Sequence, residues 1–371
     1  MADGTRNMTV GSPAGHLIRF ALPLLAGSFL QQLYNMVDSF VVGRYVGDAA
    51  LAAVGVGFPV LFMFTSLFTG LANGGTVVIA QLYGAGKLQR VRDAVDTIYT
   101  AFLLAVLPVT LAAVALVKPL LVVLRVDASV WQDAWLYLPV VCAGLIGTIG
   151  YNLNAGILGG LGNSRSTLLF LSIAAVLNII LDFALVLWAG MGVLGVALAT
   201  IFSQAVSWLF GVAFINRRYP QIAIRPFPIR FDRALFRQIM GVGLPAGIQM
   251  SLVAVGSMVI MSKVNSFGEA YTAGYNAGYR MDQLAFLPIQ SVASAATAFV
   301  GQNMGARLPQ RARQGIRAAV AASVVWSLLM AAILMPAAPS LIRLFSKTPA
   351  VIHAGAVYLW GIMPFYETRK R

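Results

Sequence analysis

The chain has 371 residues, of which 59% are hydrophobic and only 10% charged, with a formal net charge of +14 and a mean hydropathy of +0.81. A soluble domain is closer to a quarter charged, so the composition points to a protein built of membrane-spanning helices. The basic residues are scattered over many short loops rather than gathered on one surface, which argues against nucleic acid as a partner. One cysteine, Cys142, lies in an apolar run, and the histidines His16 and His353 are far apart. Disulfide and zinc chemistry are therefore unsupported.

In chain order, stretches long enough to cross a bilayer fall at about 17–42, 50–76, 96–117, 130–156, 167–189, 192–215, 236–262, 272–300, 318–342 and 351–366. The first follows a polar tail with no small-residue cleavage site, so it reads as a retained span. Short polar breaks separate the spans, VGDAA, LYGAGKLQRVRD, LGNSRS, WAGMG and NRRYPQIAIRPFPIRFDR among them. This gives a 1–16 tail, a first lobe over 17–215, a basic linker over 216–237 and a second lobe over 238–371. With the amino terminus inside, nineteen Lys and Arg fall on the inner side and six on the outer, and Arg280 alone falls within a span. That asymmetry predicts a multi-pass protein of the bacterial inner membrane with both ends in the cytoplasm.

The chain repeats itself. VGDAALAAVGVG at 46–57 matches FGEAYTAGYNAG at 267–278, and AQLYGAGKLQRVRDAV at 80–95 matches GQNMGARLPQRARQGI at 301–316, at a constant offset of 221. The offset holds an even number of spans, so both copies enter from the same side, as in parallel-repeat transporters. The expected fold is all-α, a two-lobe helical bundle with about ten transmembrane helices of an expected twelve. By the same offset, partners for spans five and six fall beyond residue 371, so the second lobe reads as truncated after MPFYETRKR.

Three carboxylates lie well inside spans, away from their ends, Asp38, Asp182 and Asp282. Each costs on the order of 3 kcal/mol at a helix centre, so each is a functional candidate. Gln31, Asn35 and Asp38 are spaced four and three apart and share one face of span one, and Asn178 and Asp182 share one face of span five. Two carboxylates with amide and hydroxyl oxygens can hold a hard cation, and two near carboxylates can also share one proton. Hydrogen bonding between helices is the structural alternative. In span eight, Arg280 and Asp282 point to different faces, while Asn276 shares the Arg280 face. The sequence GAGK at 84–87 lacks the Walker spacing and is followed by Leu88, so ATP-driven export is unsupported. Isolated acids also exclude the paired-acid pattern of a diphosphate-using membrane enzyme, and no enzyme activity is expected.

QQLYNMVDSFVVGRYVGDAALAAVG after its LP entry, AQLYGAGK with its QNMGAR echo, ILGGLGNSRST, VLNIILDFALV and YRMDQLAFLP together resemble the MATE (multidrug and toxic compound extrusion) family. The resemblance implies two lobes around a central cavity and export of small, cationic organic compounds in exchange for Na⁺ or H⁺, by a monomer in membrane lipid with no cofactor. In archaeal and DinF-like members a first-lobe site uses an Asp, an Asn and Asp, and a Thr that match Asp38, Asn178, Asp182 and Thr200. Asn35 joins that set by spacing, and Arg280, Asp282 and Asn276 form a possible second-lobe polar site. A lipid-linked oligosaccharide flippase and an inactive remnant are the alternatives. The second copy reads VAVGSMVIMSK where the first carries Asp38, which predicts that coupling is confined to the first lobe.

Overall fold

The computed structural model describes residues 5–362 apart from residue 125 and residues 226–229, so the MPFYETRKR ending and the last residues of the tenth predicted span lie outside the described residues. Among the described residues the chain is helical, with no strand. Helix α1 (Pro13–Val41) runs on into a π-helical segment (Val42–Val46) and is followed by α2 (Asp48–Gly84) and α3 (Leu88–Val123). Next come α4 (Ala128–Ala143), α5 (Leu145–Gly160) and α6 (Ser164–Asp182), which continues as a second π-helical segment (Phe183–Trp188). The remaining helices are α7 (Gly192–Arg218), α8 (Arg233–Asn265), α9 (Glu269–Gly305), α10 (Pro309–Arg343) and α11 (Pro349–Ile362).

Eight of these helices are long and apolar enough to cross a membrane, and α4 with α5 makes a ninth span bent by 45° at Gly144. A Cβ at Gly144 would fall 2.1 Å from Cγ2 of Ile201, so only glycine lets α7 approach there. The tenth expected span is represented by the shorter apolar helix α11.

Several predicted breaks shrink to a few residues. Hydropathy marks where a helix leaves an apolar slab, whereas a helix continues through water until something stops it. LYGAGKLQRVRD is thus mostly helix, interrupted only at Ala85–Lys87, where Gly86 takes a left-handed φ of 71°. Arg307 holds the equivalent place at the end of α9, with φ 59° and no glycine to relieve it. Polar side chains start the helices, with Ser12, Asp127, Asn163 and Asp232 accepting from the first-turn amides of α1, α4, α6 and α8.

The first seven helices pack around one large apolar core that includes Ile79, Phe102, Leu138 and Phe170, and a smaller core joins α9, α10 and α11. The offset of the sequence repeat is visible in how the lobes meet. A Cβ at Gly84 would lie 1.9 Å from the carbonyl oxygen of Gln302, and one at Gly305 would lie 1.9 Å from that of Gln81. Helices α2 and α9 therefore cross backbone to backbone at two related glycines. Further along, Gly70 and Gly74 of α2 lie against the backbone of α8 at Gly243 and Ile239, and the Ser66 and Ser251 hydroxyls meet at 3.0 Å. The α2–α9 crossing lies at the end of the bundle that carries the basic linker, called the basic end below, and the α2–α8 contacts run from there into the spans.

Candidate functional site

Helix α1 packs along α6, and the two carboxylates predicted from the sequence face each other across that seam. Asp182 is the last α-helical residue of α6, directly before the π-helical segment, and Asp38 lies one turn before the π-helical segment that extends α1. At the first of these transitions the Val42 amide is shared between the carbonyls of Asp38 and Ser39. Local π-helical turns of this kind widen the backbone and often mark functional sites.

The carboxyls of Asp38 and Asp182 are close enough to interact directly. Asp182 is fully buried and Asn178, one turn away on the same face, is 2% exposed. Both oxygens of Asp182, one oxygen of Asp38, and both the nitrogen and oxygen of the Asn178 amide lack hydrogen-bond partners, as does Oε1 of Gln204 on α7. Leaving each such group unpaired in a dry interior costs about 1–3 kcal/mol. A cluster of them at one place is the pattern of a site built for something that enters and leaves. Two tyrosines complete the surroundings. The Tyr34 hydroxyl, on α1, sits between the amides of Gln31 and Gln204, and Tyr137 of α4 lies near both carboxylates.

Of the other predicted residues, Thr200 donates its hydroxyl to the Val196 carbonyl at 3.0 Å. Its oxygen lone pairs stay available, but it forms no hydrogen bond with the acidic pair. Asn35 is exposed on the flank of α1 rather than enclosed with Asp38. In the second lobe Asp282 is 1% exposed and accepts from the Tyr358 hydroxyl at 3.3 Å, while Arg280 and Asn276 are exposed on another face of α9. The structure therefore separates Arg280 and Asn276 from Asp282 instead of uniting the three in one site.

Gln204, Tyr34 and Tyr137 were not singled out from the sequence. A signal existed for two of them, since Gln204 follows Thr200 by four residues and Tyr34 precedes Asp38 by four. Tyr137 offered none. Among the described residues no group of three His, Cys, Asp or Glu side chains could hold a metal ion.

Duplicated halves meeting face to face, with a buried cluster of unpaired polar groups inside one of them, define a membrane transporter of the parallel-repeat class. The MatE family model matches residues 23–184 and again 245–367, and the chain belongs to that family, the multidrug and toxic compound extrusion transporters. The two matches repeat the offset read from the sequence. Among curated relatives, the probable multidrug resistance protein YpnP of Bacillus subtilis is 29% identical over 361 residues, covering 97% of this chain and 80% of that protein. The probable multidrug resistance protein NorM of Thermotoga maritima is 26% identical, over 94% of this chain and 76% of its own length. A solved structure described as the outward-facing conformation of a multidrug resistance MATE family transporter superposes with a TM-score of 0.89 at 25% identity, covering 99% of this chain and 82% of that one.

Proposed function

We propose that this chain is a secondary antiporter that exports small organic compounds, cationic ones among them, in exchange for Na⁺ or H⁺ bound between Asp38 and Asp182. The observation that carries the reading is the set of unpaired buried polar atoms on Asp38, Asn178, Asp182 and Gln204. In this reading the basic end faces the cytoplasm of a bacterial cell, as the excess of Lys and Arg there supports. The ion is the driving reactant, and no cofactor takes part.

The chemistry required is modest. An ion or proton arriving from outside satisfies the unpaired oxygens and pulls α1 and α6 together at their π-helical turns. An ion can shift the two access states only by its difference in affinity for them, so the site must be tighter in one state than in the other. The excess of acids over bases within the spans favours cationic cargo over a pyrophosphate-linked lipid. Thr200, with free lone pairs on the helix that carries Gln204, serves as an additional oxygen ligand, and Asn35 lines the approach.

The test is efflux of ethidium from vesicles under an imposed Na⁺ or pH gradient. Asp38→Asn keeps the volume and removes the charge, and it is expected to lower gradient-driven efflux at least tenfold. Undiminished efflux by that variant would remove the site from the mechanism.

A further inference from the structure

Arg280 is the one basic residue placed well inside a span, away from its ends, by its sequence, and its position on α9 can be read from the packing. Gly305, Ala298, Ser291, Leu287, Arg280 and Asn276 are spaced seven, seven, four, seven and four apart, so they form one stripe along the helix. Its lower part is covered by the first lobe. Gly305 touches the backbone of α2, Ala298 is fully buried in a cluster with Leu17, Phe20 and Ala21 of α1, and Ser291 is 4% exposed. Leu287 is 8% exposed, and beyond it Arg280 and Asn276 are exposed.

Helix α1 shows the complementary stripe. Leu17, Ala21 and Leu24 pack against α9, and the same face continues through Ser28, Gln31, Asn35 and Ser39, of which the last three are exposed. A second exposed face, with Leu33, Met36 and Phe40, lies on the opposite side of α1 and is apolar. The two faces that meet near the basic end are thus both uncovered toward the other end, and the space between them is called the cleft below. His16 and Phe299 are in ring contact. Asn35 lies as many residues beyond His16 as Arg280 lies beyond Phe299, so the two stand at one depth across the cleft.

Arg280 forms no ion pair among the described residues, and it is the one charged residue on the α9 stripe between Asn276 and Gly305 and on the α1 stripe between Leu17 and Ser39. Its guanidinium is a planar fork suited to two oxygens of one anionic group. Resting on the export reading above, we propose that Arg280 receives an acidic group of the transported compound, a carboxylate or a phosphate, and that the cleft selects organic compounds that carry one. The uncharged amides and hydroxyl of Gln31, Asn35 and Ser39 face the remainder of the cargo, and the ion site at Asp38 stays behind that wall.

The test is equilibrium binding to the purified full chain in lipid nanodiscs, which does not depend on transport. One probe pair is a fluoroquinolone with a free carboxylate and its ethyl ester, both keeping the same amine. The other is riboflavin phosphate and riboflavin. Arg280→Gln is expected to weaken binding of the acid-bearing member about tenfold in at least one pair, with Arg280→Lys intermediate and the neutral member unaffected. The pair that responds tells carboxylate from phosphate. Equal loss for acid and neutral probes, or no loss for either, overturns the proposal, with thermal melting used to confirm that the variants are folded. Failure of Asp38→Asn to alter gradient-driven efflux overturns the export reading separately and leaves the binding result standing.

Discussion

Asn154 and Asn178 are both buried asparagines in apolar helices, and they do different things. Asn154 accepts a short hydrogen bond from the Tyr99 hydroxyl and donates to the Trp208 carbonyl at 2.9 Å, so it ties α5 to α3 and α7. That is what helix glue looks like in an apolar bundle. Asn178 has neither bond, and its unpaired neighbours are carboxylates. Gln204 lies on the same side of that distinction, since its Oε1 is unpaired while its amide borders the Tyr34 hydroxyl. Replacing Gln204 with Leu removes one oxygen ligand and leaves the acids in place. The expected result is about a tenfold rise in the ion concentration that half-saturates efflux, with the maximal rate changed far less. A change in maximal rate alone, at unaltered ion dependence, would make Gln204 a structural residue.

At the scale of elements, the repeat allows two copies of one turn to be compared. Gly86 ends α2 in a left-handed conformation without strain, whereas Arg307 ends α9 in the same conformation with a side chain. The left-handed region costs a non-glycine residue on the order of 1 kcal/mol. Arg307→Gly is therefore expected to raise stability by up to roughly 1 kcal/mol and Gly86→Ala to lower it by a similar amount, read as opposite shifts of the melting temperature in detergent. Shifts of the same sign would show that something other than backbone strain sets the residue at this turn. The order of the spans, and nine of the ten expected, were legible in the sequence because long apolar runs and glycine-marked turns report them directly. The acidic pair was legible as well, since carboxylates in such runs stand out. What could not be read were the π-helical turns after Asp38 and Asp182, because no local residue pattern marks them. The separate placement of Asp282 and Arg280 was half legible. Spacing put them on different faces, but only the packing of α11 and the first lobe shows which face is closed and which is open.

At the scale of the whole molecule, the two halves hold each other at the basic end by a pair of related clasps. Arg90 of α3 donates to the Asp232 carboxylate at 2.8 Å, and Asp232 starts α8. Arg311 of α10, at the same offset, donates to the carbonyl of Gly11 at 2.6 Å and to that of Met8, just before α1. Each arginine of one lobe thus grips the entry of the other lobe's first helix. The Leu235 amide and the Arg90 guanidinium hold the Asp232 carboxyl below the usual carboxylate range. The clasp is therefore fully formed above about pH 4, the ordinary carboxylate value, and is lost only as pH falls through the lowered one. Loss of both clasps removes contacts that hold the basic end closed and so shifts a two-state balance toward opening there. The double variant Arg90→Gln with Arg311→Gln is expected to lengthen spin-label distances across that end at pH 7. The single variant Arg311→Gln should make them lengthen further on acidification below pH 4, as Asp232 is protonated. Distances unchanged in the double variant would assign closure to the α2–α9 glycine crossing alone, where Gly84 and Gly305 bring the two backbones into contact.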